Sequence, residues 1–137
     1  MTNGSVTDYY QLEVGFEFPP SSCRLDSAMV DTYIRAVEEN SPLYRDTSIM
    51  PPTALAACAM SALSKSVSFP PGSIHVSQEL EFLDTVYRED TITCRSKVSR
   101  KRERGKLHLM TMDIEVYKNE QKVMAGKVGF VLPQQGN

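Results

Sequence analysis

The stretch from residue 53 to 67, "TALAACAMSALSKSV", constrains the fold more than any other part of the chain. Pro51 and Pro52 stand just ahead of it, where proline suits the first turn of a helix. Small side chains then fall on nearly every side of the predicted helix: Ala54, Ala56, Ala57, Cys58, Ala59 and Ala62. A helix apolar all round is expected to be buried all round. Its small residues would let a surrounding layer approach the helix backbone closely. What surrounds it must come from the rest of a 137-residue chain, a length that suits one domain, residues 1–137, with a single core.

The period changes after residue 73. The segments "IHVSQELEFLDTV" (74–86), "DTITCRSKVSRKRE" (90–103), "KLHLMTMDIEVYKN" (106–119) and "QKVMAGKVGFVLP" (121–133) alternate apolar with polar over much of their length. That is the pattern of strands with one face buried. The breaks "REDT", "RERGK" and "KNEQ" are short enough for hairpins. Upstream, "YYQLEVGFEF" (9–18) alternates in part and reads as a short strand broken at Gly15, and "PPSS" (19–22) as a turn. "SAMVDTYIRAVEEN" (27–40) repeats Met29, Val30, Tyr33, Ile34 and Val37 on one helical face. Asp26 or Ser27 would cap it and Ser41-Pro42 would end it. Strand, helix, buried helix and then long antiparallel strands predict an α+β hot-dog fold, a curved sheet wrapped around a central helix.

Composition narrows the function classes. Cys23, Cys58 and Cys94 are odd in number and form no CxxC pair, which argues against a disulfide framework or zinc site and fits a reduced cytoplasm. No signal peptide is evident at the N-terminus, and no apolar run is long enough for a bilayer. Formal net charge is −2, yet seven lysines and arginines crowd "RSKVSRKRERGK" (95–106) against Glu103 alone. With no interleaved aromatic, this run is a poor nucleic-acid footprint. It reads first as a solvated hairpin with charged outward positions, and second as cations for CoA phosphates or an acidic carrier protein.

Three ordered stretches resemble one family. "AVEENSPLYRD" (36–46) resembles the "GDxNPxH" loop of MaoC-like (R)-specific enoyl-thioester hydratases and hydroxyacyl dehydratases. "IMPPTALAA" (49–57) resembles the "aPPt" entry to the central helix in that family's N-terminal, FAS1-like dehydratase half. "IHVSQELEFLDTVYREDT" (74–91) resembles the same half's "lHgeQxfefxxPxxxGDt" strand. The resemblance implies a hot-dog fold, pairing with another hot-dog subunit as a homo- or hetero-oligomer, an acyl-CoA or acyl carrier protein thioester as substrate, and no cofactor. It also implies a loop dyad, aspartate and histidine, that holds a water, and a helix N-terminus that receives the thioester oxygen. Those dyad positions fall on Glu39 and Tyr44. Halves of this type commonly lack the dyad and shape the acyl pocket instead.

Hydration of an enoyl thioester needs a group to activate water, one to manage the proton at C2, and donors for the enolate oxygen. Glu39 could serve as the base of a hydratase or a thioesterase, but it also reads as a surface acid beside Glu38. A phenol, with an ordinary pKa of about 10, donates a proton at neutral pH far better than it accepts one. Tyr44 therefore reads more simply as an aromatic lining a pocket or seam. The helix start at Pro52, Thr53, Ala54 and Leu55 could offer amides to a thioester oxygen, or be a well-made N-terminus and no more. His75 belongs to the strand signature and reads as a hydrogen-bonded structural residue near the substrate. His108 reads as outward-facing. Two isolated histidines predict no metal site. The readings left open are a non-catalytic half of a hydratase, a self-sufficient hot-dog enzyme, and a module that binds an acyl thioester without turning it over.

Overall fold

In the computed structural model, which describes residues 7–8 and 11–133, the small-residue run forms a helix over Pro52–Ser66, with Pro51 as its N-cap. We number elements in chain order: this helix is α3, after α1 (Ser27–Ala36) and α2 (Pro42–Asp46). Ala54, Leu55, Ala56, Ala59 and Leu63 are its buried residues. The helix is not buried all round, however, because Thr53, Ala57, Ser61 and Lys65 are exposed. A single curved sheet covers only one side of a helix. The opposite side, small and polar at i, i+4 steps, faces α1 across a cavity.

The sheet has five strands in the order β2-β5-β6-β7-β4, every neighbour antiparallel. They are β2 (Ser21–Arg24), β4 (Ile74–Phe82), β5 (Thr91–Arg104), β6 (Leu107–Lys118) and β7 (Gln121–Pro133). A parallel pair, β1 (Thr7–Asp8) and β3 (Val67–Ser68), stands apart. Alternation buries Ile92, Val98, Met110, Met112, Ile114 and Val116 on the inner face. Tight turns at Gly105 (φ 62°) and Asn119 (φ 57°) close β5–β6 and β6–β7, where glycine and asparagine accept the left-handed backbone. Arg95 to Arg104 lie on β5 and Lys106 in the turn after it, so the basic run is a hairpin. Among the described residues no helix is long and apolar enough to cross a membrane.

Three expectations are corrected. "REDT" is no hairpin: β4 pairs with β7 and β5 with β2, so the 83–90 segment crosses the end of the sheet. It is tied there by Leu83 N–H to Val123 O at 2.9 Å and Leu25 N–H to Asp90 O at 2.8 Å. "PPSS" is half strand, since Ser21 and Ser22 begin β2. The stretch 11–18 is no strand, and Tyr9 and Tyr10 lie outside the described residues. Gly15 at φ +94° breaks it, although Phe18 N–H to Ser96 O and Val98 N–H to Phe16 O, both 2.9 Å, still lay its end along β5.

Helix α1 starts as expected, with the Asp26 carboxylate accepting from Met29 N–H at 2.8 Å. It ends four residues sooner than predicted. Glu38 takes a left-handed backbone (φ 57°), while Glu39 N–H reaches Ile34 O at 3.0 Å and Glu38 N–H reaches Arg35 O at 3.2 Å. That is the Schellman pattern, which usually places glycine where Glu38 stands.

Candidate functional site

The loop between α1 and α3 is built of local caps. Ser41 Oγ accepts from Leu43 N–H at 3.3 Å and starts the short helix α2, with Pro42 in its first turn. Glu39 Oε1 accepts the Ser41 N–H at 2.9 Å. Its carboxylate is thus engaged by the turn immediately ahead of α2.

Tyr44, on α2, lines a groove of about 460 Å³ together with Leu43, Pro52, Leu55, Phe82 and Leu83. Backbone pairing assembles the groove. Met50 N–H donates to Val86 O at 2.9 Å and Arg88 N–H to Ser48 O at 2.8 Å, with a bridge between Ile49 and Tyr87. The Arg88 guanidinium does the rest. It donates to Asp31 Oδ1 at 2.7 Å, Ser27 O at 3.3 Å and Tyr44 O at 3.4 Å. One side chain therefore ties α1 to the loop that carries Tyr44. Sequence reading placed Arg88 in a turn and missed this role. Its position inside the "REDT" break, six residues past Phe82 where β4 ends, left no periodic signal to find it by.

At the start of α3, Ala54 N–H and Leu55 N–H already donate to Pro51 O, at 3.0 and 3.4 Å. Pro52 has no N–H. Thr53 N–H is the first-turn amide for which the described residues show no acceptor. The Thr53 hydroxyl accepts from Tyr33 OH at 2.8 Å. Ala54 faces away from the groove, into a second cavity of about 320 Å³ that it lines with Tyr33, Ala57, Cys23, Cys58 and Lys65. The structure thus brings Tyr44, Pro52 and Leu55 together at one groove. Glu39 is not among the groove's lining residues, and His75 lies at the far end of β4. Seven residue steps along β4 separate His75 from Phe82, about 23 Å at the strand rise. The His75 ring is exposed, within 3.0 Å of Ser77 O and tilted against Phe130 at 5.0 Å.

Other clusters are internally satisfied. Burial, with Cys23 nearby, pushes the Cys58 thiol up to about 11. Burial pushes Cys94 up to about 12. Such thiols pack and do not attack. A shallow hollow of about 490 Å³ on the outer sheet face holds Arg95, Lys97, Asp113, Glu115 and Tyr117. Lys122 hydrogen-bonds Glu115 at 2.6 Å and holds its carboxyl below the usual range. At Asp113 burial acts upward, but Lys127 at 2.8 Å and Ser99 outweigh it and lower the carboxyl. His108 lies 3.8 Å from Glu103 across the β5–β6 ladder and is largely covered, not outward-facing. Among the described residues no group of three or more His, Cys, Asp or Glu is placed to hold a metal ion.

Residues 13–126 match the family model of the FAS1-like, dehydratase domain region. Among solved structures, R-hydratase PhaJ1 from Pseudomonas aeruginosa is 19% identical with a TM-score of 0.76, over 93% of this chain and 86% of that one. The (R)-hydratase from A. caviae involved in PHA biosynthesis is 24% identical with a TM-score of 0.70, over 90% and 98%. The HadBC (3R-hydroxyacyl-ACP dehydratase) complex from Mycobacterium tuberculosis is 18% identical with a TM-score of 0.67, over 86% and 96%. At these identities the likeness is one of fold. No curated protein matches the chain.

Proposed function

Since the chain belongs to the FAS1-like dehydratase region family, we propose that it is the half of an acyl-thioester hydratase or dehydratase that shapes the acyl pocket, completed by a catalytic hot-dog subunit. The observation that carries this reading is the engagement of Glu39. Its carboxylate caps Ser41 N–H and does not line the groove where Tyr44, Pro52 and Leu55 meet. Water activation needs a base within hydrogen-bond reach of the reacting atoms. The groove's lining also includes the Asp84 carboxylate, whose two oxygens are both engaged, Oδ1 by Thr85 N–H at 2.7 Å and Oδ2 by Gln121 Nε2. Otherwise the groove offers the Tyr44 phenol, and the helix start beside Pro52 offers the Thr53 amide with the α3 dipole behind it. A dipole and a donor can orient a thioester oxygen; they do not deprotonate water. The chain therefore contributes walls and orientation, and the base comes from the partner. The HadBC structure, a complex by its description, supports pairing with a second chain.

The test is hydration of a short trans-2-enoyl-CoA, followed through loss of the conjugated thioester absorbance. The purified chain alone should show no turnover, and a catalytic hot-dog subunit should restore it on mixing. Turnover by the chain alone that vanishes in Glu39→Gln would refute the reading and make this a self-sufficient enzyme.

A further inference from the structure

The outer face of the sheet divides into two unlike halves. Toward the β6–β7 turn its charges are matched, Lys127 with Asp113 at 2.8 Å and Lys122 with Glu115 at 2.6 Å. Toward the β5–β6 turn they are not. Met110 and Met112 are buried, so Thr111, Leu109 and Leu107 take the outer face by alternation. Their cross-strand partners Arg100, Arg102 and Arg104 share that face. All three arginines are exposed, as is Lys106 in the turn. Among the described residues no ion pair or hydrogen bond engages any of these four side chains. Glu103, the one acid of the run, stands opposite His108 on the other face.

Beside the arginines the outer face is apolar. Val131 lies opposite Leu109, and Ile74 opposite Val131. Ile74 (58%) and Leu107 (47%) are well exposed. Successive arginines are two residues apart, about 7 Å along the strand, so a cationic row and an apolar strip run side by side. This end of the sheet is remote from the Tyr44 groove. Phe82 of the groove is in register with Met124, Val116 and Cys94. Arg104 stands ten positions farther along β5, about 30 Å away.

Two properties select the ligand. Arginine meets phosphate through a planar fork of donors. Exposed leucine and isoleucine beside such a row gain only where the anion borders an apolar phase. A soluble phosphate would leave the strip in water. Single-stranded nucleic acid binds through aromatic rings that stack its bases, and this part of the face carries none. The chain as a whole has a net charge of −2, so an anionic surface would attract it by this face and not at random.

We propose that the outer face at the β5–β6 end binds the surface of a bilayer containing anionic phospholipid. Arg100, Arg102 and Arg104 meet headgroup phosphates, and Leu107 and Ile74 reach the acyl boundary. The chain then lies on a membrane without crossing it, with the groove about 30 Å along the sheet from the contact.

The test sediments the whole chain with vesicles of phosphatidylcholine alone, or of equal parts phosphatidylcholine and phosphatidylglycerol. It should bind the second and not the first, and salt should weaken binding. Arg100→Gln/Arg102→Gln/Arg104→Gln should lower the partition coefficient about a hundredfold, since each cation at an anionic surface contributes about fivefold. Replacing all three with lysine should keep most of it. Ile74→Ser/Leu107→Ser should lower it about tenfold and leave its salt dependence unchanged. Circular dichroism and urea midpoints check folding; should a multiple variant fail there, Arg102→Gln alone, expected to cost about fivefold, carries the test. Equal binding to both vesicles, binding to neither, or a glutamine or serine variant as tight as wild type overturns the proposal. So does a chain that ignores vesicles yet is retained through these arginines by polyglutamate, which would make the face a dock for an acidic protein.

Discussion

Replacing Arg88 by methionine tests whether one side chain holds the groove together. Methionine keeps most of the apolar stem and removes the guanidinium, whose side chain is 16% exposed. Three acceptors lose their donor. The Asp31 bond is short at 2.7 Å, but Asp31 is 54% exposed and water will replace much of it, so we assign it about 1.5 kcal/mol, the lower end for a charged hydrogen bond. The bonds to Ser27 O and Tyr44 O are long, at 3.3 and 3.4 Å, and contribute about 0.5 kcal/mol each. The total is about 2.5 kcal/mol. For a chain of this length that lowers Tm by roughly 8–10 °C. Arg88→Lys keeps a point charge for Asp31 but cannot reach three acceptors at once, and should recover about half. Urea unfolding followed by circular dichroism gives the stability. Amide exchange at Leu43–Arg45 reports the local loosening of α2. A methionine variant within about 0.5 kcal/mol of wild type, or full rescue by lysine, would refute the account of Arg88 as a three-way tie.

Gly126→Ala should be severe, about 3 kcal/mol or more, because its Cβ would sit 2.5 Å from the Glu79 carbonyl oxygen, a backbone atom that cannot turn aside. Faster exchange across β4 would mark it, whereas Gly129→Ala meets the rotatable Ser77 hydroxyl and should cost clearly less. Glu38→Gly should stabilise by about 0.5–1 kcal/mol, since it relieves a left-handed backbone at φ 57° in a helix end that favours glycine; a fall in the urea midpoint would contradict the Schellman assignment. In the native protein near about pH 8, iodoacetamide should leave Cys58 and Cys94 largely unmodified, because burial holds their thiols at about 11 and 12. Peptide mapping should find both alkylated once the chain is unfolded in urea, and equal native and unfolded rates would refute their burial.

Much of the fold was legible because it rests on local periodicity. Alternation located β4 to β7 to within a few residues, and the Pro51-Pro52 start placed α3, since a strand facing a core and a helix first turn leave one-dimensional signatures. The candidate site was only half legible. Tyr44, Pro52 and Leu55 were named from sequence and meet at one groove, yet Glu39 is engaged by its own turn and His75 stands a strand's length away. Equal standing in a motif did not become proximity in space.

What the chain's order of residues determined by itself is which segments are helix or strand and which face of each is apolar, because those follow from neighbours a few positions apart. Tertiary structure decided the rest. It set β4 beside β7 across a crossover, left one side of α3 uncovered, and brought Arg88 to Asp31 and Tyr44, fifty-seven and forty-four residues away in the chain. Such long-range pairings are settled by which closure satisfies the most backbone groups and buries the most apolar surface at once, a sum over the whole molecule that no single stretch of sequence carries.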